Sequence, residues 1–391
     1  MALNLCHIVF AFEERRGKNV NIVFVSNFLN HHQQDFCNNM VQQCERFVFI
    51  ATDPVSEKGY QKKIDADYLL PYYKEEFKSV CEKEICDADV VIFGGCPNNL
   101  IALRMRLPKL SFLYSERFFK KGMWRGFIPQ TRKKVIDRIV KYKDEPMYVL
   151  SASAYLPSDL AMLGYPKEKC YKWGYFPKVK YYNTEKLFFQ KKEEKKVSLL
   201  WVGRFIKWKH PEVAVELALR LKKKGYDFSV KIIGGGVLEQ KLYKMIAKNG
   251  LENYIDMLGE METEKVREHM EKADIFIFTS DKNEGWGAVL NEAMNSGCAV
   301  VANHVIGSVP YLIKNGENGY SYQNKKEMQQ YVEILMENQK HRYKIGKAAY
   351  QTVIDKWNAE IAAKRFCCLA ESLLNTEKKD LFADGPCSKA E

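Results

Sequence analysis

No apolar run in this sequence approaches the roughly 18 residues that a membrane-spanning helix needs. No Cys-x-x-Cys pair occurs among the eleven scattered cysteines, which removes a zinc ribbon and a thioredoxin-like redox pair. Buried free thiols in a reducing compartment are expected instead. Repeats and low-complexity tracts are absent, and no Asp-x-Asp motif sits after a strand where it would hold a metal, so no metal site is expected. The opening segment, Met1 to Phe12, has neither the basic stretch nor the small-residue cleavage site of a secretory leader. A cytoplasmic location is the expectation.

What the chain does have is length for two or three domains and a surplus of twelve positive charges. The surplus is local. Between Arg104 and Lys143 thirteen cations (Arg104, Arg106, Lys109, Arg117, Lys120, Lys121, Arg125, Arg132, Lys133, Lys134, Arg138, Lys141, Lys143) face only Glu116 and Asp137. Phe118, Phe119, Trp124 and Phe127 are interleaved with them. Val135, Ile136, Ile139 and Val140 mark one apolar stripe on a basic helix over Arg132–Lys143. Two readings stay open: an anionic bilayer surface that places the protein peripherally on the inner face of a membrane, or a stripe packed on the core with a solvated basic rim. Nucleic acid is set aside, because no DNA- or RNA-binding signature accompanies the charge.

Both halves alternate strands with helices. Asn21–Asn27, Phe47–Thr52, Val90–Gly95, Leu110–Glu116 and Met147–Ser153 are short, nearly continuous apolar runs, as in a parallel sheet covered on both faces. Val197–Gly203, Phe228–Gly235, Tyr254–Gly259, Ala273–Ser280 and Cys298–Val305 repeat the pattern. The fold class is therefore α/β, with two doubly wound parallel sheets. The reading divides the chain into a first domain over 1–182, a charged linker over 183–196 and a second domain over 197–356. A helical stretch over 357–375 and a flexible tail over 376–391 complete it.

Two segments carry chemistry. After Val197–Gly203 comes Gly203-Arg204-Phe-Ile-Lys-Trp-Lys209-His-Pro211, with two cations in a turn that leads into a helix N-terminus. Backbone N–H groups, the positive end of a helix dipole and two cations suit a diphosphate. After Ala273–Ser280 comes Glu284-Gly-Trp-Gly-Ala-Val-Leu-Asn-Glu292, whose glycines expose backbone N–H groups. Eight residues of helix span about 12 Å, more than separates the two carboxylates of a glycosidase. Glu284 and Glu292 are thus expected to grip different parts of one long ligand.

The segment Val202-Gly-Arg-Phe-Ile-Lys-Trp-Lys209, with Ile232-Ile-Gly-Gly-Gly236, Leu258-Gly259, Glu284-x7-Glu292 and Asn315-Gly-Glu-Asn-Gly-Tyr320, resembles the family 4 glycosyltransferases of GT-B fold. The resemblance implies two Rossmann-like domains facing across a cleft, the first for the acceptor and the second for the donor. It implies that Gly203, Arg204 and Lys209 bind the donor diphosphate and that Glu292 accepts the ribose hydroxyls. Glu284 and the backbone of Gly285, Trp286 and Gly287 would hold the transferred sugar, and Gly259 and Glu260 would meet the base. The helical stretch from Trp357 would cross back to the first domain. The first half is similar, more loosely, to polysaccharide and lipopolysaccharide members. The similarity rests on Asn30-His-His-Gln33, Tyr114-Ser-Glu-Arg117, Ser151-Ala-Ser-Ala-Tyr155 and Lys172-Trp-Gly-Tyr-Phe176. Where many members have a glycine pair after the first strand, Phe28-Leu-Asn-His-His32 stands here. Where many have a histidine after the fourth run, Ser115-Glu116-Arg117 stands, and His210 replaces a glycine. His31, His32, Glu116 and Arg117 are the acceptor-side candidates.

The function implied is a retaining, metal-independent hexosyl transfer from a nucleoside-diphosphate sugar to a glycan or lipid-linked glycan hydroxyl. No cofactor is required beyond that co-substrate, and uridine diphosphate is the favoured carrier. Glu284, Arg204 and Lys209 would be the catalytic groups, acting by front-side attack or by double displacement through Glu284. A GT-B epimerase of sugar nucleotides and a non-catalytic nucleotide-sugar or membrane-binding module are the rival readings.

Overall fold

The computed structural model describes residues 20–55, 64–193, 196–376 and 380–390. The chain divides into two compact units. The first draws on the chain up to Phe119, on Met123–Lys178 and on the chain from Asn358 onward. The second holds Lys120–Gly122 and Val179–Trp357.

The first unit is a seven-stranded parallel sheet built from β1 (Asn21–Ser26), β2 (Arg46–Ala51), β3 (Leu69–Pro71), β4 (Val90–Phe93), β5 (Ser111–Ser115), β6 (Met147–Ser151) and β7 (Cys170–Lys172). Its order is β3-β2-β1-β4-β5-β6-β7. Helices α1 (His31–Gln43), α2 (Lys78–Asp87), α3 (Asn98–Met105), α4 (Pro129–Arg138) and α5 (Leu156–Ala161) connect the strands. All four residues of β4 are buried, as expected of a strand covered on both faces. The short strands β3 and β7 escape the sequence reading because neither makes a sustained apolar run.

Crossing α4 corrects the helix expected over Arg132–Lys143. The helix stops at Arg138, Ile139 leaves helical geometry at φ −142°, and a single 3-10 turn over Val140–Tyr142 follows. Val135, Ile139 and Val140 are buried, so the apolar stripe faces the core and the cations form its rim.

The second unit is a six-stranded parallel sheet of order β10-β9-β8-β11-β12-β13. Its strands are β8 (Val197–Val202), β9 (Phe228–Ile233), β10 (Ile255–Gly259), β11 (Ile275–Phe278), β12 (Ala299–Asn303) and β13 (Tyr320–Tyr322). The helices are α6 (Thr184–Glu193), α7 (Glu212–Lys223), α8 (Glu239–Lys248), α9 (Thr263–Lys272), α10 (Val289–Asn295), α11 (Val309–Leu312), α12 (Lys325–Glu337) and α13 (Gln339–Asp355). In both sheets the order reverses beside the first strand of the unit, at β1/β4 and at β8/β11. Ligands of open α/β sheets sit at such switch points, outside the carboxyl ends of the strands.

Two expectations fail here. The segment read as a linker is mostly helix α6, because Leu187 and Phe188 are buried and Lys191 is buried with them. The Lys191 ammonium donates to the carbonyls of Met270 and Ala273 at the end of α9, so a residue counted as linker charge serves as a cap. The tail over 376–391 is not flexible in its described part. Residues 380–390 follow the last helix, α14 (Ala359–Leu374), and run antiparallel along the open edge of β7. Lys172 N donates to Ser388 O at 2.7 Å, Cys387 N to Lys172 O at 2.8 Å and Ala390 N to Cys170 O at 3.0 Å. Lys389 lies over the Tyr171 ring at 4.3 Å. An unpaired sheet edge is thereby covered.

Truncation before Asp380 should therefore lower the melting temperature by roughly 5 °C or more, read by calorimetry. A frayed tail would leave it unchanged.

Candidate active site

The second switch point gathers the sequence-expected residues from three loops. Gly203 N donates to Ile233 O at 3.0 Å and Gly234 N to Gly259 O at 2.8 Å, so the ends of β8, β9 and β10 lie side by side. Gly234 has φ +136°, and a Cβ there would strike the Gly203 carbonyl oxygen, so only glycine lets these turns meet. Glu260 lies against Gly235, whose added Cβ would stand 2.9 Å from the Glu260 Cγ.

The turn after β8 is tied to the end of β11. Thr279 Oγ1 donates to Lys209 O at 2.7 Å and to His210 O at 3.0 Å, while Trp201 Nε1 donates to Thr279 Oγ1 at 2.8 Å. His210 adopts left-handed geometry, φ 52°, which explains why a glycine commonly stands there in the resembled family. Its ring reaches Glu212 Oε1 at 3.1 Å and Asp281 Oδ2 at 3.5 Å. This turn presents both Arg204 and Lys209 near the Trp208 ring, at 5.9 Å and 4.6 Å from its centre. Arg204 is exposed and makes no hydrogen bond or ion pair among the described residues.

Lys209 is engaged. Its ammonium pairs with Glu284 Oε2, which also accepts from Ser280 Oγ at 2.9 Å. Glu284 is 8% exposed, so this carboxylate sits largely out of water with a cation and a hydroxyl as partners. Gly287, at φ +82°, lets the loop turn against the Phe278 ring and the Glu284 side chain. The helix starts only at Val289, so Glu284 and Glu292 are joined by loop as well as helix. The 12 Å drawn from eight helical residues does not apply.

Trp286, expected on the donor side through its backbone, has its side chain turned into the core. Its side chain is fully buried, packs on Trp357 at 5.7 Å and Tyr311 at 6.3 Å, and donates from Nε1 to Asn291 Oδ1 at 2.9 Å. It anchors the loop, and only its backbone is left to meet a ligand. Glu292, half-buried on α10, has no hydrogen bond to its carboxylate among the described residues. Burial pushes this carboxyl up to about 7, with the opposing charge of Arg267 pulling the other way.

In the first unit His32 stacks on Tyr175, with ring centres 6.0 Å apart and planes 4° apart, and Tyr175 OH donates to Glu116 Oε1 at 2.8 Å. His31 leans on His32 at 3.8 Å. Burial, then the neighbouring His31 charge, lowers His32 to about 3, so its ring is neutral. Tyr175, missed as a site residue, joins the two. Arg117 does not join them: it pairs with Asp159 at 2.9 Å, a carboxylate that is itself fully buried, and lies over the Tyr155 ring at 5.0 Å. The basic segment splits likewise. Arg104 is fully buried and donates to the carbonyls of Ile85, Cys86, Ala88, Asp89 and Leu110. Arg138 donates to the carbonyls of Gly94 and Cys96. Arg132, Lys133 and Lys134 remain exposed, near Trp124 and Phe127 at 58% and 74% exposure.

Residues 183–352 match the family described as glycosyl transferases group 1. The chain is 28% identical over 188 residues to an uncharacterized glycosyltransferase of Methanocaldococcus jannaschii, covering 48% of each chain. It is 34% identical over 127 residues to the amylovoran biosynthesis glycosyltransferase AmsK of Erwinia amylovora, covering 31% of each. The chain thus spans half or less of these curated relatives. Anabaena HepE in complex with UDP matches with TM-score 0.66 and 13% identity, over 91% of this chain and 100% of that one. A glycosyltransferase of Rickettsia africae matches with TM-score 0.65 and 16% identity, over 92% and 100%. At these identities the structures establish the fold, two doubly wound sheets of GT-B type, and the expected resemblance to glycosyltransferases holds.

A carboxyl raised by burial binds its proton more tightly in the folded chain than in the unfolded one. Its stabilising contribution is whole below the ordinary carboxylate range and is lost as pH rises through about 7. Glu292→Gln should therefore raise the melting temperature by a few degrees at pH 8 and change it little at pH 4.5, measured without ligand.

Proposed function

On the premise of a group 1 glycosyl transferase donor half, we propose that this protein transfers a hexose from a uridine diphosphate sugar to a hydroxyl of a glycan or lipid-linked glycan. The anomeric configuration is retained. The observation that carries this reading is the Lys209–Glu284 ion pair beside the unengaged Arg204, at the carboxyl ends of β8 and β11. A diphosphate arriving there meets two cations in a turn that leads into α7, a helix whose N-terminal dipole favours an anion. Uridine diphosphate is favoured because Anabaena HepE has been crystallised with it. A polysaccharide acceptor is favoured because AmsK is named for amylovoran biosynthesis.

In the proposed reaction the bond from the anomeric carbon to the diphosphate breaks, and its electron pair goes to the phosphate oxygen. Arg204 and Lys209 stabilise the charge that develops there, in the manner of an oxyanion hole and without a divalent metal. The acceptor oxygen bonds to the same face of the carbon and gives its proton to the departing diphosphate. Glu284, released from Lys209, and the backbone of Gly285–Gly287 hold the sugar. Glu292 accepts from the ribose, and Gly203, Gly259 and Glu260 line the path to the base. His31, His32 and Glu116 stand on the acceptor side, joined by Tyr175. Arg117 serves by fixing the turn after β5 through Asp159.

The exposed Arg132, Lys133 and Lys134 with Trp124 and Phe127 suit an anionic bilayer surface, which would bring the protein to the membrane that carries a lipid-linked acceptor.

Arg204→Ala and Lys209→Ala should each lower transfer by roughly 100-fold or more, followed as release of uridine diphosphate. Glu284→Gln should lower kcat by a similar factor, and transfer near the wild-type rate would contradict its role. Vesicles of phosphatidylglycerol should sediment the protein at low salt, and replacing Trp124 and Phe127 with alanine should abolish this. Failure of the wild type to sediment would remove the membrane from the account.

A further inference from the structure

Arg267, on α9, is 4% exposed yet makes no ion pair within 4 Å among the described residues. Its guanidinium donates through Nη2 to Asn295 Oδ1 and engages the Tyr182 hydroxyl, while Nε is buried with no acceptor. A buried cation without a carboxylate is costly, and the surroundings offer few. Glu271, one turn along α9, is taken: Tyr182 OH donates to it at 2.6 Å and Lys180 Nζ at 3.0 Å. Asp274 pairs with Arg342 of α13 at 3.3 Å. Lys191 of α6 is spent on the carbonyls of Met270 and Ala273. Glu292 is the carboxylate that remains.

Its position agrees. Asn295 stands three residues after Glu292 on α10, so the two share a helix face, and the residue that holds Arg267 lies on the side from which Glu292 projects. Asn295 is itself fixed, accepting from Lys180 N at 2.9 Å and donating to Lys180 O at 3.0 Å. The backbone of Lys180 thus locks the asparagine, and the asparagine locks the guanidinium against the helix that carries Glu292.

We infer that Arg267 is a positioning residue for Glu292, favouring its charged form and orienting it to accept the hydroxyls of the bound nucleotide. The inference rests on the reading of Glu292 as the ribose acceptor. Burial favours the protonated carboxyl, and the Arg267 charge opposes it. A protonated carboxyl accepts hydrogen bonds poorly, so removing Arg267 weakens nucleotide binding most near and below neutral pH and least in alkali. Arg267 is absent from the residues picked out by motif, because neither its helix nor its spacing marks it.

The test is uridine diphosphate binding by isothermal titration calorimetry between pH 6 and 9, with wild type, Arg267→Lys, Arg267→Gln and Glu292→Gln. The wild type should gain affinity as pH rises through about 7. Arg267→Gln should move that midpoint up by a unit or more, weakening binding about tenfold at pH 7 and recovering near pH 9. Arg267→Lys should stay close to wild type. Should Arg267→Gln fail to fold, Asn295→Ala, which frees the guanidinium but keeps its charge, should show the same shift in smaller size. A midpoint unmoved in these variants, while Glu292→Gln weakens binding at every pH, would overturn the role of Arg267. Unchanged binding in Glu292→Gln would overturn the ribose reading itself.

Discussion

The ion pair between Lys209 and Glu284 is the constraint on which the proposed donor site depends. Each partner belongs to a different loop, and each loop leaves a different strand of the β8/β11 pair. A largely buried carboxylate with one cation and one hydroxyl is stable only while that cation stays. An anionic ligand at the turn competes for the same lysine and leaves Glu284 with unmet hydrogen-bonding capacity. Sugar hydroxyls can meet it. In the proposed reaction the pair would therefore couple the arrival of the diphosphate to the readiness of the carboxylate.

Around that pair the fold supplies rigidity. Gly203, Gly234 and Gly259 let three strand ends close together, Thr279 fixes the cation-bearing turn, and Trp286 pins the glycine loop into a cluster with Trp357 and Tyr311. The two carboxylates differ in what holds them. Glu284 has its cation in direct contact, whereas Glu292 has none within 4 Å among the described residues, and burial raises its proton affinity.

Much of the fold was legible in the residues. Ten of the thirteen strands among the described residues announce themselves as apolar runs, because a strand covered on both faces tolerates little else. Arg204, Lys209 and Glu284 were singled out by the family resemblance, since a glycine–arginine turn after a strand is common on its own. What escaped depends on contacts distant in sequence. Lys191 counts as linker charge until its ammonium is seen on the α9 carbonyls. Arg104 and Arg138 count as surface charge until their donors are seen on backbone oxygens. Trp286 sits inside the motif yet faces the core, and Tyr175 and Arg267 acquire meaning only from residues brought to them by the fold. Positive charge in this sequence is therefore a poor guide to surface, since several of the cations in its densest stretch are interior donors.

The most direct test of the account is the affinity of uridine diphosphate for Glu284→Gln, measured by calorimetry beside the wild type. If Lys209 must leave Glu284 to meet the diphosphate, removing the carboxylate charge frees the lysine in advance, and the variant should bind uridine diphosphate several-fold more tightly. Equal or weaker binding would contradict the coupling, and with it the claim that this ion pair organises the site.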